Sequence, residues 1–545
     1  MSEKQWLWWQ TGVIYQIYPR SFMDSNKDGI GDIPGIISRL DYLKRLGIDA
    51  IWLSPFYPSP QADFGYDVAD YCDVDPQFGT LADFDRLVDE AHKRDLRIVV
   101  DYVPNHSSDQ HPWFLESRQS RTNPKADWYV WADPKADGSP PNNWLGHFGG
   151  SAWDYAPERG QFYLHSFLKE QPDLNWRNPA VKEAMLNALR FWLERGVDGF
   201  RIDVAHFIMK DPEMRDNPLN PTAEGNPYKP LGEYDSLIHL YDKGHPDVHA
   251  VYREMRALLD SYSAKRPRYS VGEIHIFDWD EWAQYYGKNL DELHMPFNFG
   301  LVNIDWKASA VRTMVDSVEG ALKRLNPDAW SNYVLGNHDE HRIASRRGVG
   351  QARMAMTLLL TLRGTPTIYY GDELGMLDGV IPPEKEQDPW GLRMPGLGLG
   401  RDPERTPMQW DTSPNAGFTA PEADPWLPTS PNTGTISVAA QEGDDRSMLT
   451  LTKTLLSLRR GSEALTKGVY TPLDGLPDGV FGYLRAYGEE RRLILLNFTG
   501  EDVAINLPAF PTAALILSSF LDRKEGAVDL TVFALRGDEG VILTV

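Results

Sequence analysis

Gly199-Phe200-Arg201-Ile202-Asp203 and Tyr269-Ser270-Val271-Gly272-Glu273 are short apolar runs, each closed by an acid. A run this short, without polar and apolar residues in alternation, reads as a strand buried on both faces of a parallel sheet. Six further runs of this kind precede residue 371: Val13–Tyr18, Ala50–Leu53, Arg97–Val103, Glu292–Met295, Ser331–Asn337 and Thr365–Tyr370. Amphipathic stretches separate them. Leu81–Arg94 follows Thr80, a good N-cap, and Pro179–Arg195 opens on a proline suited to a first helical turn. Eight strands alternating with helices predict a (β/α)8 TIM barrel, with functional residues at the C-terminal ends of the strands.

Three stretches interrupt this alternation. Asn105–Trp176 is rich in Trp, Asn, Gly and Pro and lacks a helical period, so it reads as a loop-rich domain inserted after the third strand. Leu374–Asp444 carries repeated Pro and Gly and reads as an irregular flap. Beyond about Gly468, short segments such as Arg492–Asn497 and Gly540–Val545 predict an all-β C-terminal domain. The expected division is 1–104 and 177–465 for the barrel, 105–176 for the insert, and 466–545 for a terminal β-sandwich.

The 545 residues include 55 basic and 78 acidic ones, a net charge of −23 that repels nucleic acid and anionic lipid alike. Hydrophobic content of 41% and charged content of 24% are those of an ordinary globular chain. No run of about 18 apolar residues could span a bilayer, and MSEKQWLWWQ lacks the layout of a signal peptide. With Cys72 as the only cysteine, a disulfide within the chain is excluded, and a cytoplasmic location is expected. The 18 Trp and 24 Tyr mostly fill the core, but their surplus also suits a cleft that stacks on sugar rings.

Asp203 and Glu273 end the fourth and fifth strands, and Asp339 follows Asn337-His338 just past the seventh. Any one of these could be an ion-paired or capping carboxylate. Three at the mouth of one barrel point to glycoside hydrolysis, which needs two carboxyl groups flanking one bond. Arg201 lies two residues before Asp203, on the same side of its strand, and is expected to hold that carboxylate ionised. Glu273, as the acid, is expected to carry a raised pKa.

The segments Asp101-Tyr102-Val103-Pro104-Asn105-His106, Gly199–Asp203, Glu273, Asn337-His338-Asp339 and Gln171-Pro172-Asp173-Leu174-Asn175 together resemble the alpha-amylase superfamily. The likeness is to its oligo-1,6-glucosidase and α-glucosidase branch and spans nearly the whole chain. The resemblance implies Asp203 as nucleophile, Glu273 as acid/base and Asp339 as the carboxylate that holds substrate hydroxyls. It implies His106 and His338 as sugar ligands, and Asp67 with Arg401 as a pair closing the pocket behind a terminal glucose. The activity implied is that of a retaining, exo-acting α-glucosidase on small α-1,6 or α-1,4 glucosides, with glucosyl transfer alongside. Val204, after the nucleophile, resembles α-1,6-preferring relatives.

An isomerase of the trehalose synthase or sucrose isomerase type is the alternative. Tyr57-Pro58-Ser59-Pro60 and Arg405-Thr406-Pro407-Met408-Gln409-Trp410 are shared with trehalose synthases, but the Arg-Leu-Asp-Arg-Asp segment usual in sucrose isomerases is missing. A non-catalytic barrel, as in transporter heavy chains, would lack the full acidic set. The chain departs from its branch at His338-Asp339-Glu340-His341-Arg342, where Gln-Pro commonly follows the His-Asp pair.

Asp24-Ser25-Asn26-Lys27-Asp28-Gly29 begins like an EF-hand, but Gly35 stands at the twelfth position where that loop needs Glu. The stretch instead resembles the branch's metal loop. There Asp24, Asn26, Asp28, the Ile30 carbonyl and Asp32 would bind one structural divalent cation, with calcium favoured over magnesium. A loop held by Asx turns without metal is the alternative. No organic cofactor is expected.

Overall fold

The computed structural model describes residues 5–222, 229–510 and 513–545. Parallel strands β1 (Ile14–Ile17), β2 (Ala50–Leu53), β3 (Arg97–Tyr102), β4 (Gly199–Ile202), β5 (Tyr269–Gly272), β6 (Met295–Pro296), β7 (Asn332–Val334) and β8 (Thr365–Tyr369) form one sheet in the order β7-β8-β1-β2-β3-β4-β5-β6. This is the TIM barrel that the apolar runs predict. Every residue of β1, β2, β4 and β5 is buried, which is why these strands show no polar alternation. Between β6 and β7 a side chain does the pairing: Asn332 donates to the Pro296 carbonyl and accepts from the Asn298 amide at 3.0 Å.

The sixth strand is displaced from its expected position. Glu292 lies outside it, with its carboxylate held by His249 and Arg253 at 2.7 Å each. The helices follow their capping residues. Leu81–Lys93 is closed by a reciprocal Thr80–Asp83 capping box, and Pro179–Glu194 starts behind Asn178 with Pro179 in its first turn.

The segment between β3 and β4 is not without helix, contrary to its lack of period: Pro112–Ser117 is helical, capped by the His111 ring. It packs with a three-stranded antiparallel sheet of Trp131–Ala132, Gln161–Leu164 and Trp153–Ala156. Near the C-terminus a six-stranded and a two-stranded antiparallel sheet form. In its strand Glu490–Asn497, Leu493 and Leu495 enter a terminal core while Ile494 and Leu496 face the main core, so both faces are buried. Among the described residues no helix is long and apolar enough to cross a membrane.

Candidate active site

Asp203 and Glu273 directly follow β4 and β5, and pairing of β3 with β4 sets Asp101 opposite Arg201. Arg201 is enclosed in the barrel mouth and serves three carboxylates. Its Nη1 donates to Asp101 Oδ1 at 2.7 Å and Asp203 Oδ1 at 2.8 Å, and its Nη2 donates to Glu273 Oε2 at 2.6 Å. Val204 adds its amide to the same Glu273 oxygen at 3.0 Å. To do so it adopts φ 34°, a costly conformation for a β-branched residue. His275 Nε2 lies 2.9 Å from Glu273 Oε1.

These contacts act unequally on the two carboxyls of the substrate-free site. Burial raises Asp203 well above the usual carboxylate range, and although Arg201 opposes this, repulsion from Glu273 and Asp101 adds to it. Glu273 is also buried, but Arg201 and His275 more than offset that and hold it well below the range. The reason is the division of the guanidinium: Glu273 has Nη2 to itself and a backbone amide besides, whereas Asp203 shares Nη1 with Asp101. Two adjacent buried carboxyls cannot both ionise cheaply, so Asp203 and Glu273 titrate as a coupled pair.

Asp339 closes the opposite wall. Its Oδ1 accepts from Arg401 Nη1 at 3.0 Å and Arg405 Nη2 at 2.9 Å, and its Oδ2 lies 3.2 Å from His338 Nε2. Burial would raise Asp339, but His338, Arg401 and Arg405 hold it well below the usual range. Burial itself drives His338 down to about 3, so at neutral pH the two guanidiniums supply the charge. The Gln16 amide donates to His338 Nδ1 at 2.8 Å, which leaves the proton of the neutral ring on Nε2. His106, also kept neutral by burial at about 4, touches Gln171 Nε2 at 3.1 Å and lines the same pocket.

The partner of Arg401 is not Asp67. Arg401 Nη2 donates to Asp63 and Asp388 at 2.7 Å each. Asp67 points into its own loop, where it accepts from Ser59 Oγ at 2.8 Å and from the amides of Ala62 and Asp63 at 2.8 and 3.0 Å. Positive φ at Phe64 (45°) and Gly65 (102°) turns the chain between the two aspartates, so only Asp63 lines the pocket. Burial, opposed by these hydrogen bonds, leaves Asp67 at about 6.

Residues 16–468 match the model of the alpha-amylase catalytic domain. The chain belongs to the alpha-amylase family. It is 45% identical to a probable alpha-glucosidase of Rhizobium meliloti (strain 1021), over 92% of this chain and 91% of that one. Against an oligo-1,6-glucosidase of Parageobacillus thermoglucosidasius the identity is 39%, over 94% and 95%. The crystal structure of an alpha-glucosyl transfer enzyme superposes with a TM-score of 0.92 at 41% identity, covering 99% of this chain and 100% of that one.

Within this alpha-amylase family barrel, the outer pocket wall is apolar. Phe148, Phe167, Val204, Phe207 and Trp390 form one buried cluster there, joined at the rim by Tyr234 and Lys229. Sequence reasoning missed Asp63, Asp388, His275 and Trp390. An acid four residues before Asp67 and a Trp-bearing flap were visible, but neither lies in a periodic segment that would orient it.

The loop after β1 is a chain of Asx turns: Asp24 Oδ1 accepts from the Asn26 amide, Asn26 Oδ1 from Asp28, and Asp28 Oδ1 from Ile30, at 2.8–3.0 Å. Asp32 caps the helix Ile33–Ser38 through the Gly35 amide at 2.6 Å. Asp24 and Asp32 are both buried, and burial together with the charge of Asp24 raises Asp32 despite its hydrogen bonds. The carboxylates of this loop are hard oxygen donors of the type a divalent cation takes, and here they accept from backbone and hydroxyl donors, with Gly29 and Thr419 on Asp24 and Ser25 on Asp32.

Proposed function

We propose that this protein is a retaining, exo-acting α-glucosidase that removes terminal glucose from short α-linked substrates. The observation that carries this is the single guanidinium of Arg201 holding Asp203 on one nitrogen and Glu273 on the other. That sharing gathers both carboxyls about one guanidinium, the close pairing that retention needs, where the two groups stand about 5–5.5 Å apart. In the first step Asp203 attacks the anomeric carbon while Glu273 gives its proton to the departing glycosidic oxygen. Developing positive charge on the sugar is stabilised by ionised Asp203. In the second step Glu273 takes a proton from water, which displaces Asp203 and releases glucose with its original anomeric configuration.

Asp63, Arg401 and Asp339 form the blind end of the pocket, which favours attack at chain ends. A cavity of about 280 Å³, at the low end of the roughly 300–1,000 Å³ of small-molecule sites, favours disaccharides and short oligosaccharides. The apolar outer wall suits the aglycone, and Val204 supports α-1,6 preference. The relatives' names, alpha-glucosidase and oligo-1,6-glucosidase, support the same reading. We assign a calcium ion to Asp24, Asn26, Asp28, the Ile30 carbonyl and Asp32, where it would brace the end of β1 without touching substrate. The single Cys72 supports a cytoplasmic location.

Incubation with maltose, isomaltose, sucrose and trehalose, with products identified by NMR, tests the proposal. Free α-glucose from isomaltose or maltose is expected. Isomerised disaccharide as the main product, or β-glucose formed first, would overturn it.

A further inference from the structure

The departure at His341 leads to a second side-chain cluster. His341 Nδ1 lies 2.9 Å from Asp378 Oδ2 and 3.4 Å from Glu404 Oε2, and the three donor atoms all fall within 4.8 Å of one another. Each group comes from a different segment: the turn after β7, the start of the flap, and the 3-10 turn Pro403–Arg405. The Arg342 amide occupies Asp378 Oδ1 at 2.8 Å, which leaves Oδ2 for the cluster. Glu404 is 1% exposed, and its Oε2 is buried without a hydrogen bond. His341 Nδ1 stands closer to Asp378 than to Glu404 and leaves Glu404 Oε2 without a hydrogen bond.

A buried carboxylate oxygen left without a donor is costly. We propose that His341, Asp378 and Glu404 bind a divalent transition-metal ion of the zinc, cobalt or manganese class. One imidazole nitrogen with two carboxylate oxygens is a common ligand set for these ions. Ligands about 2.1 Å from a metal lie about 3.0–3.4 Å from each other, close to the 2.9 and 3.4 Å spacings at Nδ1. His341 is 46% exposed on its side chain, which gives the ion an entry path and leaves positions for water. Without metal, the facing carboxylates of Asp378 and Glu404 raise the imidazole to about 10, so a proton is the competing occupant.

The position gives the ion a consequence for the active site. Next to Glu404, Arg405 donates to Asp339 Oδ1 at 2.9 Å and to the His338 carbonyl at 2.6 Å. A bound ion would therefore tie the flap to the turn that carries Asp339.

The test is titration of the whole protein with Co²⁺ in calcium-containing buffer, followed by visible absorption and by calorimetry. Calcium keeps the oxygen-only loop after β1 filled. One equivalent of Co²⁺ with visible bands is expected, together with a rise in Tm. Affinity should fall at least about tenfold in both His341→Ala and Glu404→Gln and stay unchanged in Asp28→Ala. His341 is half-exposed, so its variant secures the comparison if Glu404→Gln fails to fold. Absence of binding to the unmodified protein at millimolar Co²⁺, or binding that His341→Ala leaves unaltered, would overturn the site.

Discussion

Replacing Asp63 by Asn should weaken recognition of the terminal glucose far more than the same change at Asp67. Asp63 Oδ1 accepts from Arg401 Nη2 at 2.7 Å and Oδ2 from Gln171 Nε2 at 3.1 Å, with both charged partners buried. Orphaning a buried charge costs about 3–5 kcal/mol, but Arg401 would keep Asp388 and Asp339. The loss is then that of one hydrogen bond to a charged group, about 1.5–3 kcal/mol. At about 1.4 kcal/mol per decade, kcat/KM on isomaltose should fall about 10- to 150-fold. Asp67→Asn removes an acceptor used only within its own loop, so it should lower Tm while costing about tenfold less in kcat/KM than Asp63→Asn. Initial-rate kinetics and thermal melts on both variants decide the matter. If Asp67→Asn damages kcat/KM as much as Asp63→Asn at unchanged Tm, the assignment of the pocket's end to Asp63 is wrong.

Glu273→Gln should lose about 10²–10⁴ in rate on a disaccharide but much less on an aryl glucoside with an acidic phenol, and azide should restore turnover; equal losses without rescue would refute the acid/base role. Asp28→Ala should lower Tm and abolish its rise with calcium while room-temperature turnover holds; lost turnover in a folded variant would refute a bracing role for the ion. Burial sets His111 at about 3 in the folded protein, against about 6.5 unfolded. Its neutral form thus contributes stability present above pH 6.5 and lost progressively as pH falls toward 3. Between pH 6.5 and 5 the wild type should lose about 1–2 kcal/mol more than His111→Asn; parallel losses in chemical denaturation would contradict this.

The barrel was legible because strands buried on both faces must be apolar throughout, as Ala50–Leu53 is. The acids closing β4 and β5 stood out because an ionised group at the end of such a run needs a partner or a function. What failed were readings that depend on irregular backbone. Asp63 and Asp67 are both acids in one loop, and positive φ at Phe64 and Gly65 decides which of them faces the pocket. The reach of Arg201 to Glu273 crosses from β4 to β5, and spacing along β4 could indicate only its contact with Asp203. Asp388 and Trp390 come from the flap, whose lack of period gave no face to assign. At β7, Asn332 replaces a ladder hydrogen bond with its side chain, and no apolar pattern announces that.

In a retaining mechanism Asp203 supplies the oxygen of the glucosyl-enzyme bond. A fluorinated glucosyl fluoride, which forms that bond readily but hydrolyses slowly, can trap it for peptide mass spectrometry. One glucosyl adduct on the peptide containing Asp203, absent in Asp203→Asn, is the predicted result. An adduct on Glu273, or none at all while the reagent is turned over with inversion, would contradict the account.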